Sequence, residues 1–400
     1  MKEKKQVVFY YASTPSVMIY KIAKVFHEKG YETILFAMCE KDRFDYDFYS
    51  EAFDKIICSN FQFFKPSLKT IFYILRRGFG LLRFLISMKF LNPYVIIGIA
   101  GNNWQLRLIH KYFFKKYPFI YFPYDILSHY LRLGAGKPQQ FEIKAEKYCF
   151  ENADGIMHKG DPNELKFVEG IFHEKIHFSK YQLSFLPYCS KEFSVPINSS
   201  KLSKKDNEIH IVYIGFLFND PASVKKFTKC FKEIMAQKIH IHVYTMITHI
   251  PKKQEEKYIK DFFKHLYKDK YFHLHKPLGA KEIISEISKY DFGFWPVQEC
   301  PPEEAKFGVG NKLASHLEAG LPSIYDDIMV FVDKFMESHN FNISYNEKNI
   351  KNLKKRIKRL NYKKLEKNII EIRKIFDMDK NFPRLEKFIK KIINKKNKQQ

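Results

Sequence analysis

Between Tyr271 and Tyr325 the chain concentrates residue types that handle charged ligands. Glu303 and Glu304 occupy a turn after the apolar run Phe292–Pro296, and the glycine-containing segment KFGVG leads into Asn311 and Lys312 at a predicted helix start. Amide N–H groups that open a helix, joined by one lysine, make an anion site suited to a phosphate or diphosphate. The predicted helix is stopped by Gly320 and Pro322. The competing reading treats Lys312 as one more solvated base in a lysine-rich chain.

A second set lies in the first half. The β-prone run PFIYFPYD delivers Tyr124 and Asp125 to its carboxyl end, with His129 and Tyr130 just beyond. Asp125 could deprotonate an acceptor hydroxyl, or orient His129 to do so, because an imidazole titrating near neutrality suits that task. Asp125 as a helix cap stays open beside this. Ser13 and Thr14, after the first strand, are donors for a substrate, or Ser13 or Ser16 caps the following helix. His273 and His275 are spaced to share one strand face, which raises zinc; with no clear third ligand nearby, no metal site is signalled.

These groups need a scaffold that brings them to strand ends. Four hundred residues with 45% hydrophobic and 17% aromatic content exceed one ordinary core and suit two domains. Val7–Tyr11, a helical pattern to Gly30, and the runs YETILF and DKIICS open a doubly wound sheet. The strand PYVIIGIAG ends beside Asn102, Asn103 and Trp104, and ADGIMHKG ends at His158 and Lys159. After a polar stretch, EIHIVYIGFLFND restarts the pattern with Gly215 at its strand end. The expected organisation is a domain over 1–195, a linker over 196–208, a second domain over 209–375, and a basic terminal segment over 376–400. That segment either packs back on the first domain or is a solvated helix with a frayed tail.

The formal charge of +25 favours anionic partners. Zinc-finger spacing, a basic zipper and a compact RNA-binding signature are all missing, so nucleic acid is not the expected partner. The six cysteines form no CxxC pair, and the short apolar run after MKEKKQ does not read as a signal peptide. A cytoplasmic location with reduced thiols is the expectation. Residues 68–90 interleave Lys69, Arg76, Arg77, Arg83 and Lys89 with aromatic and aliphatic residues. They form either a helix packed on the sheet or a peripheral contact with an anionic membrane surface. The first turn lacks GxGxxG, which argues against an NAD or FAD site there.

At YDFGFWP (290–296) and NKLASHLEAGLPSI (311–324) the chain resembles glycosyltransferases of the GT-B type. The similarity extends coarsely over nearly the whole chain: AEKYCFENADGIMHKG (145–160) looks like the helix and strand before the hinge, and VYIGFL (212–217) like the first donor-domain strand. The resemblance implies two Rossmann-like, doubly wound parallel-sheet domains facing across a crevice. It places the nucleotide sugar on the second domain, its base near His275–Leu278 and its phosphates near Gly215 and Lys312. Asn311 and Ser315 belong to the same donor set, and Glu303 or Glu304 orients the donor sugar. The acceptor approaches from the first domain. Ser315 stands where many retaining members carry a ribose-binding glutamate, Phe307 stands at the earlier glutamate position, and the usual arginine and lysine are missing from GFLFND. Retention or inversion is therefore left open.

The expected function is transfer of a sugar from a nucleotide-activated donor to a glycan or lipid-linked acceptor, in cell-surface polysaccharide or glycoconjugate synthesis. No cofactor is expected. A nucleotide-sugar epimerase of similar fold and a nonenzymatic polyanion or nucleic-acid binding protein are the rivals.

Overall fold

The computed structural model describes residues 4–11, 15–39, 44–60, 82, 86–87, 90–101, 103–132, 140–172, 175–197, 200–217, 221–247, 252–297 and 302–398. The chain divides into two units, one of residues 1–186 with 381–400 and one of residues 187–380.

The first unit holds β1 (Gln6–Tyr11), β2 (Glu32–Cys39), β3 (Lys55–Asn60), β4 (Pro93–Ile99), β5 (Phe119–Phe122), β6 (Gly155–His158) and β7 (Gln182–Ser184). They form one sheet in the order β3-β2-β1-β4-β5-β6-β7, every pairing parallel. Parallel strands need helical crossovers that cover both faces, which is why runs such as Val7–Tyr10 are buried throughout rather than alternating with polar residues. The first crossover, helix Val17–Glu28, is ended by Gly30 in the left-handed region at φ 82°.

The chain returns to this unit at its end. In helix Met378–Asn397, Phe382, Leu385, Ile389 and Ile392 are buried. Phe382 meets Phe26 edge to face at 4.7 Å, Tyr31 donates to Glu386 at 2.8 Å, and Lys396 pairs with Asp154 at 3.0 Å. Gly155 leaves the room that the Ile392 side chain occupies.

The second unit holds β8 (Ile209–Leu217), β9 (Ile239–Ile247), β10 (Phe272–His275), β11 (Phe292–Trp295), β12 (Ser323–Asp326) and β13 (Ile343–Tyr345), again all parallel, in the order β10-β9-β8-β11-β12-β13. One layer of its core joins Ile211, Tyr213 and Val243 to Phe227, Phe231, Phe263 and Phe294. Both sheets are doubly wound, as the sequence predicts. In each the order reverses beside the first strand, opening a gap at the carboxyl ends between β1 and β4 and between β8 and β11.

Ser13, Thr14 and Asn102 lie outside the described residues, as does nearly all of the 68–90 segment. Among the described residues no helix is long and apolar enough to cross a membrane.

Candidate functional site

In the second unit, the reversal between β8 and β11 brings two of the predicted residues together. Gly215, near the end of β8, has φ 128°, and a methyl group there would lie 2.9 Å from Lys312 Cε and 3.0 Å from Nζ. The Lys312 ammonium also sits 5.5 Å from the centre of the Tyr213 ring. Lys312 therefore lies along the surface of β8 because residue 215 has no side chain.

Lys312 is held there by helix Asn311–Glu318, whose buried face of Leu313, Ala314, His316 and Leu317 packs down on the sheet. Its N-cap is Gly310, with extended backbone and no capping side chain, close against the Trp295 ring at the end of β11. Helix amides and the lysine thus belong to one corner of the sheet, with Asn311 as first helical residue and Ser315 one turn on. His316 is fully buried, fits against Gly293, and lies 2.9 Å through Nδ1 from Ser323 Oγ. Burial, with the Lys312 charge adding to it, pushes its pKa down to about 3. Glu303 and Glu304 fall in the short helix Pro302–Phe307, where Glu304 is half-buried.

His275 ends β10 and stacks on Tyr244 at 4.5 Å, while Tyr244 donates to Glu286 at 2.7 Å. It does not stand alone. His210, His240, His242, His273 and His275 form hydrogen-bonded files across β8, β9 and β10. In the sequence only the β10 pair, His273 and His275, stood out. The missed signal was the repeat of the pattern: HIH in β9 and HLH in β10, with His210 at the matching place in β8.

In the first unit, Asp125 is exposed and accepts from Lys159 at 2.8 Å; the same ammonium lies 3.9 Å over the Tyr124 ring. His129 is buried on a 3-10 turn, Leu127–Arg132, and its Nε2 lies 3.3 Å from Glu164, not paired with Asp125. The other Glu164 oxygen is 3.9 Å from His158. Glu146 holds the turn in place, its two oxygens accepting from the amides of Leu127 at 2.7 Å and Ser128 at 2.8 Å. Burial pushes the Glu146 carboxyl up to about 7. Neither Glu146 nor Glu164 stood out in the sequence, since each is one acidic residue in a helical pattern.

No protein-family model matches the chain, and no curated protein matches it in sequence. Solved structures do. Sucrose-phosphate synthase from Thermosynechococcus elongatus is similar at a TM-score of 0.67 and 12% identity, over 98% of this chain and 100% of that one. HepE from Anabaena, in complex with UDP-glucose, is similar at 0.61 and 10% identity, over 98% of each chain. WaaG, a glycosyltransferase involved in lipopolysaccharide biosynthesis, is similar at 0.59 and 12% identity, over 91% of this chain and 94% of that one. The fold is GT-B: two Rossmann-like units, each built on a parallel sheet.

Proposed function

We propose that the chain is a glycosyltransferase taking a nucleotide-activated sugar on its second unit and a glycan or lipid-linked acceptor on its first. The observation that carries this reading is Lys312 lying against Gly215 at the carboxyl end of β8, beside an uncapped helix start. Open parallel sheets bind ligands at such reversals, and an anion there gains both the helix amides and a full positive charge. HepE, among the similar structures, is in complex with UDP-glucose, so UDP-sugars are the first donors to test.

In this reaction the bond between the anomeric carbon and the diphosphate oxygen breaks, and the acceptor oxygen bonds to that carbon. Lys312 and the amides at Asn311 and Lys312 stabilise the charge growing on the departing diphosphate, which lowers the barrier without further reorganisation. Gly215 keeps the approach open, Ser315 faces the ribose, and His275 marks the base. Glu303 or Glu304 orients the sugar. The acceptor proton passes to Asp125, whose exposure suits contact with a substrate, while His129 is buried against Glu164. The surplus of +25 suits a lipid-linked acceptor at an anionic cytoplasmic membrane face and the protein's peripheral residence there.

The test is a panel of UDP-, GDP-, CMP- and dTDP-sugars, followed for donor hydrolysis and binding. Saturable binding of one nucleotide class, weakened by Lys312→Ala, is expected. A panel with no binder would remove the reading, and equal binding by wild type and Lys312→Ala would remove the site.

A further inference from the structure

The imidazole array of the second unit runs from His275 down to the amino-terminal margin of the sheet, and at that margin its chemistry is that of a metal site. In the parallel register His210 stands beside His240, His242 beside His273, and Tyr244 beside His275. His210 and His240 stack at 4.4 Å, as do His242 and His273. Two hydrogen-bonded files result. One runs from His210 Nδ1 to His242 Nε2 at 2.9 Å and from His242 Nδ1 to His275 Nε2 at 2.9 Å. The other runs from His240 Nδ1 to His273 Nε2 at 2.8 Å. Each file ends on a carboxylate at the amino-terminal margin of the sheet: His210 Nε2 is 2.9 Å from Asp206, and His240 Nε2 is 2.6 Å from Glu208.

We propose that this margin binds one divalent metal ion of the zinc class, through His210 Nε2, His240 Nε2 and the Asp206 carboxylate, with Glu208 as fourth donor. Three observations carry it. First, one donor atom from each of Asp206, His210 and His240 lies within 4.8 Å of the other two. Two ligands of a tetrahedral zinc sit about 3.3 Å apart, so seating the ion opens the 2.9 Å His210–Asp206 contact by about half an ångström and closes the widest of the three separations by at most about 1.5 Å. Asp206 and Glu208 reach in from the surface, so those shifts fall on partly exposed side chains rather than on the sheet.

Second, the far nitrogen of each ligating ring is already held by another imidazole. A hydrogen-bond partner on the nitrogen away from the metal fixes ring orientation in metal-binding histidines. Third, the carboxylate is fixed from behind. The amide of Glu208 donates to the other oxygen of Asp206 at 2.9 Å, and Asn207 turns the chain with φ 60°. Leu202 N is tied to Lys289 O at 2.9 Å, and Ser203 donates to Asp291. Two imidazoles with carboxylates favour zinc, cobalt, nickel or copper over magnesium or calcium.

Without metal, the carboxylates only accept, so every ring in a file carries its proton on Nε2. An ion on His210 Nε2 displaces that proton to solvent. His210 Nδ1 then takes the proton of His242 Nε2, His242 Nδ1 takes that of His275 Nε2, and His275 Nδ1 acquires one from solvent. The charge balances, and the whole file changes tautomer. Metal at the lower edge of the sheet therefore converts the outer nitrogen of His275 from an acceptor to a donor.

The experiment is equilibrium dialysis of the full chain, stripped with chelator, against Zn(II), with Co(II) as spectroscopic probe. One ion per chain is expected, with the visible bands of four-coordinate cobalt. His240→Asn should abolish uptake, and Asp206→Asn with Glu208→Gln should weaken it at least tenfold, while His339→Asn leaves it unchanged. The carboxylate pair alters only side chains that reach the surface, so its metal-free thermal midpoint reports that the fold survives. Ring nitrogen NMR should show His275 exchanging its Nε2 proton for an Nδ1 proton when zinc is added. Wild type that takes up no zinc, or a carboxylate variant that takes it up as tightly as wild type, would overturn the proposal.

Discussion

Lowering the pH from 7.5 to 5.0 should destabilise the protein through His316. The side chain is completely enclosed between its helix and β11, and its pKa lies at about 3 against an ordinary 6.5. The folded protein keeps the ring neutral, whereas the unfolded chain takes up a proton once the pH drops below about 6.5. The unfolded state then binds more protons, so stability is complete above the unfolded value and is lost as the pH falls toward 3. Each pH unit inside that window costs about 1.4 kcal/mol. At pH 5.0 the loss is therefore about 2 kcal/mol, a sizeable part of the ~5–15 kcal/mol that holds an ordinary domain. The assay is urea unfolding at both pH values for wild type and His316→Gln, which cannot titrate. His110, held down to about 4 by burial, adds acid sensitivity to both proteins, so the difference between them isolates His316. That difference should shrink by about 2 kcal/mol on going to pH 5.0. A difference constant within about 0.5 kcal/mol would refute the assignment of a neutral, enclosed imidazole, since one pKa unit alone exceeds it.

Lys312→Ala should weaken nucleotide diphosphate binding about 10- to 100-fold, the worth of one charge-assisted contact, and calorimetry with UDP would read it. Gly215→Ala adds a methyl group 2.9 Å from Lys312 Cε at a φ of 128°, so both affinity and thermal midpoint should fall, with a backbone cost of about 1–3 kcal/mol. Glu146→Gln leaves one acceptor oxygen for two amides, and should cost about 1–3 kcal/mol in urea unfolding. Deleting residues 381–400 strips Phe382, Ile389 and Ile392 from the first unit and leaves Asp154 without Lys396, so limited proteolysis should cut that unit first.

Much of the scaffold was legible because its signals are local. A run such as Val7–Tyr11 or Phe292–Trp295 declares a buried strand by composition, and Gly30 and Gly320, both with positive φ, stop helices where the chain must reverse. Lys312 was singled out because a lysine at a helix start after a glycine loop suits an anion site, although the sequence alone also allowed a solvated base. That Gly215 lies near it came only from the family resemblance, not from any local signal. That Gly215 is the residue making room for its side chain depends on β8 and β11 lying side by side, although about eighty residues separate them in sequence. Asp125 shows the same limit of local reading: its partner Lys159 comes from the end of the next strand, and His129 is drawn to Glu164 instead.

By itself the sequence determined which segments become strands and helices, where the charge lies, and that two parallel sheets follow one another, because propensity and periodicity act within a few residues. Only the tertiary structure decided which side chains share a corner. The histidine files show why. Register in a parallel sheet is set by core packing and crossover length, and a slip of one residue in β9 would have turned His240 and His242 to the other face.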